Sequence, residues 1–293
     1  MSEMMYGQIM AHSAESSDIG GTVTFTDETG IALTGTIGND GYCRKKLAAF
    51  KKYIVTFGAF TSDPVMLGCG ENHFVEVGLT TQNWAGIKRI VDAHKASDYI
   101  ASGDQFSVLL SNGETLIFKA NVDTYGEGEV DFIPTYCMET LHRMNASDTN
   151  AGGWAGCEMR SYLNNTVFAL LPADLQAVIS EKAVKVTAGS QQNALVTSND
   201  KIWLPAEYEI FGARTYSGSV EDAVHRQYPI FTDQASRVRT QGANGAACNW
   251  WESSPYISNS AYFCIVHSTG TASYSGASNA YGVLPCFRIA PSA

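Results

Sequence analysis

The sequence predicts an α+β chain in two parts: a small all-β sandwich over residues 1–80, and a second domain over residues 81–293 with its helices early and its strands late. Three observations carry this. Short runs of alternating apolar and polar residues, broken by turn residues, fill the first part. Apolar residues at helical spacing begin at Trp84. From Thr240 onward, Ser, Tyr, Asn and Gly crowd between regularly placed large apolar residues.

In the first part, Thr22-Val23-Thr24-Phe25-Thr26, then Ile31 to Thr36, then Tyr53-Ile54-Val55-Thr56-Phe57 alternate in apolar character. Asp27-Glu28-Thr29-Gly30 and Gly38-Asn39-Asp40-Gly41 break them as turns. Strands so short and closely spaced suit an immunoglobulin-like or related sandwich. A domain break is expected near residue 80, because Trp84, Ile87, Ile90 and Val91 then fall on one helical face that ends near Ala96. Phe106 to Leu110 and Thr115 to Lys119 flank Ser111-Asn112-Gly113, a hairpin signal. Two further helices are expected, one at Thr135 to Met144 and one from Glu158 to Leu163 continuing through Phe168 to Ile179, with Pro172 near a helix start. After Lys182 the chain returns to strands and long loops. Its last strand, Gly282 to Ile289, contains Pro285 and is therefore expected at a sheet edge or a bulge.

A length of 293 residues and a hydrophobic content of 45% are enough for a core in each part. The net charge of -10 repels phosphate backbones, and no basic run exceeds Arg44-Lys45-Lys46, so nucleic acid is not an expected partner. Seven cysteines, odd in number, widely spaced and without a CxxC, indicate neither a disulfide framework nor a zinc site and read as small buried hydrophobes. The N-terminal MSEMMYGQIMAHSAESS lacks a basic region followed by an apolar run, and no segment reaches the roughly 18 apolar residues of a membrane span. The expectation is a protein made in the cytoplasm without a visible signal peptide and not inserted in a membrane.

From Thr240 to Phe287 the chain carries one formal charge, Glu252. Rigid amphipathic Tyr with adaptable Ser, Asn and Gly is the composition of antibody recognition loops. A solvated linker would share the Ser and Gly but not Trp250, Trp251, Phe263, Val266, Val283, Phe287 and Ile289, which need a core.

A family resemblance enters with Gly152-Gly153-Trp154, Met159-Arg160, Leu163-Asn164, Leu170-Leu171-Pro172, Leu175, Ile202-Trp203-Leu204-Pro205 and Glu209-Ile210-Phe211-Gly212. It continues with Gln227-Tyr228-Pro229, Phe231, Arg237, Asn249-Trp250-Trp251, Ser254-Pro255, Phe263, Val266, Gly270, Ala272, Gly282-Val283, Pro285 and Phe287. Over roughly residues 85 to 290 the chain resembles bacterial and bacteriophage tail and surface proteins with a C-type-lectin-like domain, among them the variable proteins of diversity-generating retroelements. The N-terminal part resembles the immunoglobulin-like modules of tail proteins. Departures are Glu252-Ser253, where Leu-Arg is usual after the two tryptophans, and Leu284, where Arg is common.

The resemblance implies a ligand- or receptor-binding protein in which adenine-directed mutation rewrites chosen C-terminal codons while the frame stays fixed. Residues interleaved with frame positions would form the variable surface: Tyr256, Ile257, Ala261, Tyr262, Ile265, His267, Thr269, Ser273, Tyr274, Ser275, Asn279 and Tyr281. Expected partners are a protein or glycan receptor on a cell surface, other virion tail proteins, and further copies of the chain in a homo-oligomer; the expected place is a phage tail or a bacterial surface.

Catalytic and metal constellations are thin. His12, His73, His94, His142, His225 and His267 show no HxxxH or HxH spacing and read as surface or capped residues. Gly68-Cys69-Gly70 and Gly126-Glu127-Gly128 lack the strand-to-helix context of a phosphate cradle. Glu207 and Glu209 read as a pair on one face of an extended, solvated segment rather than a facing acid and base. The enzyme alternative is a formylglycine-generating-enzyme-like catalyst using Cys264 and Cys286, both in apolar surroundings that suit burial. A fixed-specificity sugar binder is the third class, although calcium-lectin signatures and the carboxylates to hold calcium are absent. No catalysis, no cofactor and no metal are therefore expected.

Overall fold

The computed structural model describes residues 5–13, 18–58, 60–78 and 83–292. The chain divides into two compact units, Met1–Ile90 and Val91–Ala293. The boundary expected between residues 80 and 81 lies outside the described residues.

The first unit is all strand up to its last segment: β1 (Tyr6–His12), β2 (Thr22–Asp27), β3 (Ala32–Thr36), β4 (Tyr42–Ala48), β5 (Lys51–Phe57), β6 (Phe60–Thr61), β7 (Val65–Leu67) and β8 (Asn72–Glu76). They form a three-stranded sheet β4-β1-β8, with β1 and β8 parallel, and a five-stranded sheet β3-β2-β5-β6 in which β7 also pairs with β5. The period of two decides which residues go inside. Ile9 and Ala11 of β1, Val23 and Phe25 of β2, and Tyr53 and Val55 of β5 point into one core with Cys43, Leu47, Leu67 and Val75.

The helix α1 (Trp84–Asp92) forms where the spacing expects it, burying Ile87, Ile90 and Val91. The second unit adds α2 (Ala96–Tyr99), β9 (Gln105–Leu109), β10 (Thr115–Val122), β11 (Val130–Pro134), then the short helices α3 (Gly153–Gly156), α4 (Glu158–Ser161), α5 (Phe168–Leu170) and α6 (Ala173–Gln176). A π-helical turn, Tyr162–Val167, joins α4 to α5. Then follow β12 (Lys182–Gly189), β13 (Gln192–Asp200), β14 (Ile202–Trp203), α7 (Glu207–Phe211), β15 (Arg239–Thr240), β16 (Ala247–Cys248), β17 (Trp250–Pro255), β18 (Tyr262–Val266), β19 (Ala272–Gly276) and β20 (Cys286–Ile289).

The α+β expectation, and the C-type-lectin-like arrangement with it, is corrected here. The chain is mostly β, with 39% strand against 17% helix, in several small sheets with few helices. Besides the five-stranded sheet β14-β20-β11-β10-β9, the second unit holds the hairpins β12-β13 and β15-β16 and the three-stranded sheet β17-β18-β19. Part of the missing helix has a clear physical reason. Residues 135–144, expected helical, give their backbone groups sideways: Cys137 N–H donates to Thr240 O, Met138 N–H to Val283 O and His142 N–H to Tyr281 O, each at 2.9 Å. Partners distant in sequence outbid the local i to i-4 ladder.

The β9–β10 hairpin turns at Asn112-Gly113, with Gly113 at a φ of 91° that a side chain would strain. Pro285 does not put the last strand at an edge. It immediately precedes β20, which lies between β14 and β11, so no ladder hydrogen bond is asked of it. Phe118, Phe132 and Phe287 meet on this sheet, the last two stacked with centroids 4.8 Å apart. Among the described residues, no helix is long and apolar enough to cross a membrane.

Candidate functional site: a tyrosine face on the late sheet

Trp250 and Trp251, adjacent in β17, are both fully buried, and each indole N–H finds a carbonyl: Trp250 Nε1 donates to Arg237 O (3.1 Å) and Trp251 Nε1 to His142 O (2.8 Å). Phe263, Val266, Val283 and Phe287 are buried as well. In the β17–β18 ladder Trp250 opposes Val266 and Trp251 opposes Ile265, so one indole lies on each face of this small sheet, which is anchored on both sides by large apolar groups.

Register then decides what faces outward. In the β18–β19 ladder Cys264 opposes Tyr274, and Tyr262 opposes Gly276, so Tyr262 and Tyr274 project on one face. Tyr256, just beyond β17, and Tyr216, in the loop after α7, join them. Tyr256 stacks on Tyr274 with centroids 4.5 Å apart and on Tyr262 at 6.4 Å, while Tyr262 and Tyr274 stack at 5.5 Å. Tyr216 meets Tyr256 and Tyr274 edge-on at 5.6 and 5.0 Å. Tyr274 keeps 40% of its surface exposed, and the other three are half-buried. The result is a rigid aromatic platform with hydroxyl groups available for hydrogen bonds.

The expected set does not gather into one patch. Ser273 opposes Ile265 and Ser275 opposes Phe263, so both serines lie on the face away from Tyr274. There Ser275 Oγ donates to Tyr281 OH (3.1 Å), Asn279 Nδ2 donates to Ser275 Oγ (2.9 Å), and Tyr281 packs on Trp251. Ile265 is only 2% exposed, because its strand position turns it to the packed side opposite Trp251's backbone, and it cannot contribute to a surface. His267 and Thr269 sit in the β18–β19 turn, closed by Gly270 N–H to His267 O. Ile257 and Ala261 are half-buried in the β17–β18 loop. The strand period of two explains the split.

Two residues that hold the platform are not ones the sequence assigns to it. Asn150, fully buried, points Nδ2 at the carbonyls of Tyr256 (3.3 Å), Asn259 (2.9 Å) and Tyr262 (2.7 Å), and its own N–H donates to Ser260 O. Glu207, expected in a solvated extended segment, instead lies buried in α7. Its carboxylate accepts the N–H groups of Tyr216 (3.0 Å) and Ser217 (2.7 Å), fixing the loop that brings Tyr216 to the cluster.

Glu209 is likewise corrected from a solvated strand to buried helix, and it is one member of a charged network beneath β12. Lys182 Nζ donates to Glu209 Oε1 (2.5 Å) and Tyr228 OH (2.6 Å), surrounded by the rings of Tyr125, Trp203 and Tyr228 at 4.7 to 5.1 Å. Tyr125 OH also donates to Glu209. Arg288 grips Asp131 with two hydrogen bonds, of 2.7 and 2.9 Å. His225, of the histidines expected at the surface or capped, is buried and capped: it donates Nε2–H to Lys185 O (2.8 Å), which leaves Nδ1 facing Glu209 at 3.6 Å. Burial pushes the Glu209 carboxyl up, but the Lys182 ammonium and the His225 ring outweigh it and hold it well below the usual range. A cleft of about 370 Å³ opens beside this network, lined by Tyr125, Lys182, Lys185 and His225 among others.

Cys264 and Cys286, the candidate catalytic thiols, are fully buried, and burial pushes both well above the usual thiol range. A thiol so placed is a poor nucleophile. Among the described residues, no group of three or more His, Cys, Asp and Glu could hold a metal ion.

No curated protein matches the chain. A solved structure, the Bacillus anthracis TIE protein, is similar over 45% of this chain at 15% identity and a TM-score of 0.19, and the match spans 28% of that protein's length. A family model matches residues 112–291, more than half of the chain and including the whole tyrosine face, and the chain accordingly belongs to the family described as Domain of unknown function (DUF6273).

Proposed function

We propose that this chain is a non-catalytic binding protein whose recognition surface is the tyrosine face of Tyr216, Tyr256, Tyr262 and Tyr274, and that its ligand is a protein or glycan receptor on a cell surface. The observation that carries the reading is the four-ring cluster itself. Aromatic side chains left partly exposed in mutual contact, carried on a sheet anchored by buried Trp250 and Trp251 and pinned by Asn150 and Glu207, present contact area with little entropy left to lose. The proposal extends to a setting in a phage tail or on a bacterial surface, with a retroelement rewriting the exposed C-terminal codons. That part stands or falls on the neighbouring DNA: a near-copy of the segment for about residues 250 to 287, differing at adenines and beside a reverse transcriptase, supports it, and its absence leaves a binder of fixed specificity.

The test replaces Tyr256, Tyr262 and Tyr274 together by Ser and measures binding to intact bacterial cells and to a glycan array. Aromatic anchors typically carry roughly 2 kcal/mol each, so binding should fall below detection. Stability should change by no more than about 1 kcal/mol per site, as for surface positions. Binding retained by a folded triple variant would reject the tyrosine face as the recognition surface.

A further inference from the structure

Four chain segments close into a ring around a pair of thiols. Cys137 N–H donates to Thr240 O and Gly242 N–H to Cys137 O, both at 2.9 Å; Met138 N–H donates to Val283 O; Gly282 N–H donates to Asn249 O (2.9 Å) and Trp251 N–H to Gly282 O (3.1 Å). The pairing of Arg239 with Cys248 in β15–β16 completes the circuit. Opposed residues of an antiparallel pair project to the same face, so Cys248 lies on the side of Arg239. Arg239 is buried, with Phe231 and Trp250 rings at 5.3 and 5.9 Å. Cys137 is buried inside the ring, its Sγ against Gly282, where an added Cβ would stand 2.6 Å away. Cys137 pairs with Gln241 and Cys248 with Arg239, positions two apart along one extended segment, so the two thiols project from the same side of it and interact there. Cys248 is half-buried, and the loop between its strand and β15 is largely exposed, lining a cleft of about 270 Å³.

We propose that Cys137 and Cys248 form a reversible disulfide, a modification site whose oxidant is a low-molecular-weight disulfide such as oxidised glutathione. Cys248, the reachable thiol, loses its proton and attacks one sulfur of the oxidant, which releases one glutathione thiolate and leaves a mixed disulfide on Cys248. Cys137 then loses its proton and attacks the Cys248 sulfur, displacing the second glutathione. The two thiolates released take up the two protons, so the chain loses two hydrogens and the oxidant becomes two thiols. The order of attack follows from access and acidity. Cys137 beside it holds the Cys248 thiol below the usual range, whereas burial, then Cys248, push Cys137 well above it. The cross-link would tie residue 137 to the strand leading into Trp250 and Trp251, and so stiffen the sheet that carries the tyrosines.

The native full-length protein, treated with oxidised glutathione, then alkylated and digested for mass spectrometry, decides the matter. The expected result is a mass loss of two hydrogens, a linked pair of peptides containing Cys137 and Cys248, and a higher melting temperature that dithiothreitol reverses. Cys137→Ser should instead retain one glutathionyl group on Cys248, having lost the thiol that displaces it. Cys248 remaining fully alkylatable in the treated native protein, or a cross-link joining a different pair such as one through exposed Cys69, would overturn the proposal whether or not the variant folds.

Discussion

The second unit contains two buried acid clusters that solve the same problem in opposite ways. In one, Glu209 and Asp131 face Lys182 and Arg288, so each charge meets its opposite at 2.5 to 2.9 Å. In the other, Glu207, Glu221 and Glu252 lie buried and, among the described residues, form no ion pair with Lys or Arg. Glu207 is satisfied by backbone N–H groups, and Glu221 by Ser254 Oγ (2.6 Å), Thr187 N–H and Thr187 Oγ1. Glu252 differs: among the described residues, neither carboxylate oxygen has a hydrogen-bond partner. Burial, then the Glu207 and Glu221 carboxylates, push Glu252 well above the usual range, so it is held as a neutral acid, whereas Glu209 stays ionised. Burial alone does not decide protonation; the first charge within reach does.

The difference has a sign in pH. Glu209 has a depressed folded pKa, so the stability it contributes is present above its unfolded pKa and is lost as pH falls through the folded value. Glu252 has a raised folded pKa. Its contribution is whole below the unfolded value and is lost as pH rises from there through the folded one. Acid therefore weakens the first cluster and favours the second.

The largest expected effect is at Lys182. Lys182→Met leaves Glu209 buried with one cation fewer and should cost about 3 to 5 kcal/mol, the usual result of removing one partner of a buried pair. Urea unfolding near neutral pH measures it, and a loss under about 1 kcal/mol would mean that the network is only surface-like in strength.

A smaller effect is expected at Glu207. Glu207→Gln keeps the shape and one acceptor oxygen but loses the charge that two backbone N–H groups share, at a cost of roughly 1 to 3 kcal/mol. Because those groups belong to Tyr216 and Ser217, this variant should also weaken ligand binding, which Lys182→Met, whose hydrogen bonds go to Glu209 and Tyr228 instead, should leave alone. Equal effects of both on binding would break the assignment of Glu207 to the platform.

What the sequence made legible was local. The Asn112-Gly113 hairpin, the α1 face of Ile87, Ile90 and Val91, and the large apolar frame at Trp250, Trp251 and Phe263 each follow from turn chemistry or spacing over a few residues. The misreadings all turned on distant partners. Residues 135–144 have helical composition, yet backbone groups of Cys137, Met138 and His142 are taken by residues 240, 242, 281 and 283. Glu207 and Glu209 read as solvated because charge usually is, and nothing local announces that Tyr216 or Lys182 awaits them. The tyrosines were visible as a composition, but which of them share a face depends on the β18–β19 register, and Asn150 became significant only once three carbonyls converged on it.

The smallest effect, and the only gain, is expected at Glu252. Glu252→Gln replaces an acid held neutral by a side chain that is neutral at every pH, so the work of keeping it protonated disappears. One pH unit above the pKa of the unfolded carboxyl the variant should be more stable than the parent by about 1 kcal/mol, and the gain should grow with pH until the folded carboxyl ionises. At pH 4 the unfolded carboxyl is largely protonated too, and the gain should vanish. The two stability curves should therefore converge toward acid and separate toward alkali, the reverse of what loss of an ionised, paired carboxylate would give. Urea midpoints at four or five pH values are enough to see it. Curves that separate in the opposite sense, the variant falling below the parent as pH rises, would mean that Glu252 is ionised in the fold and has found a cation, and the contrast between the two acid clusters would then be gone.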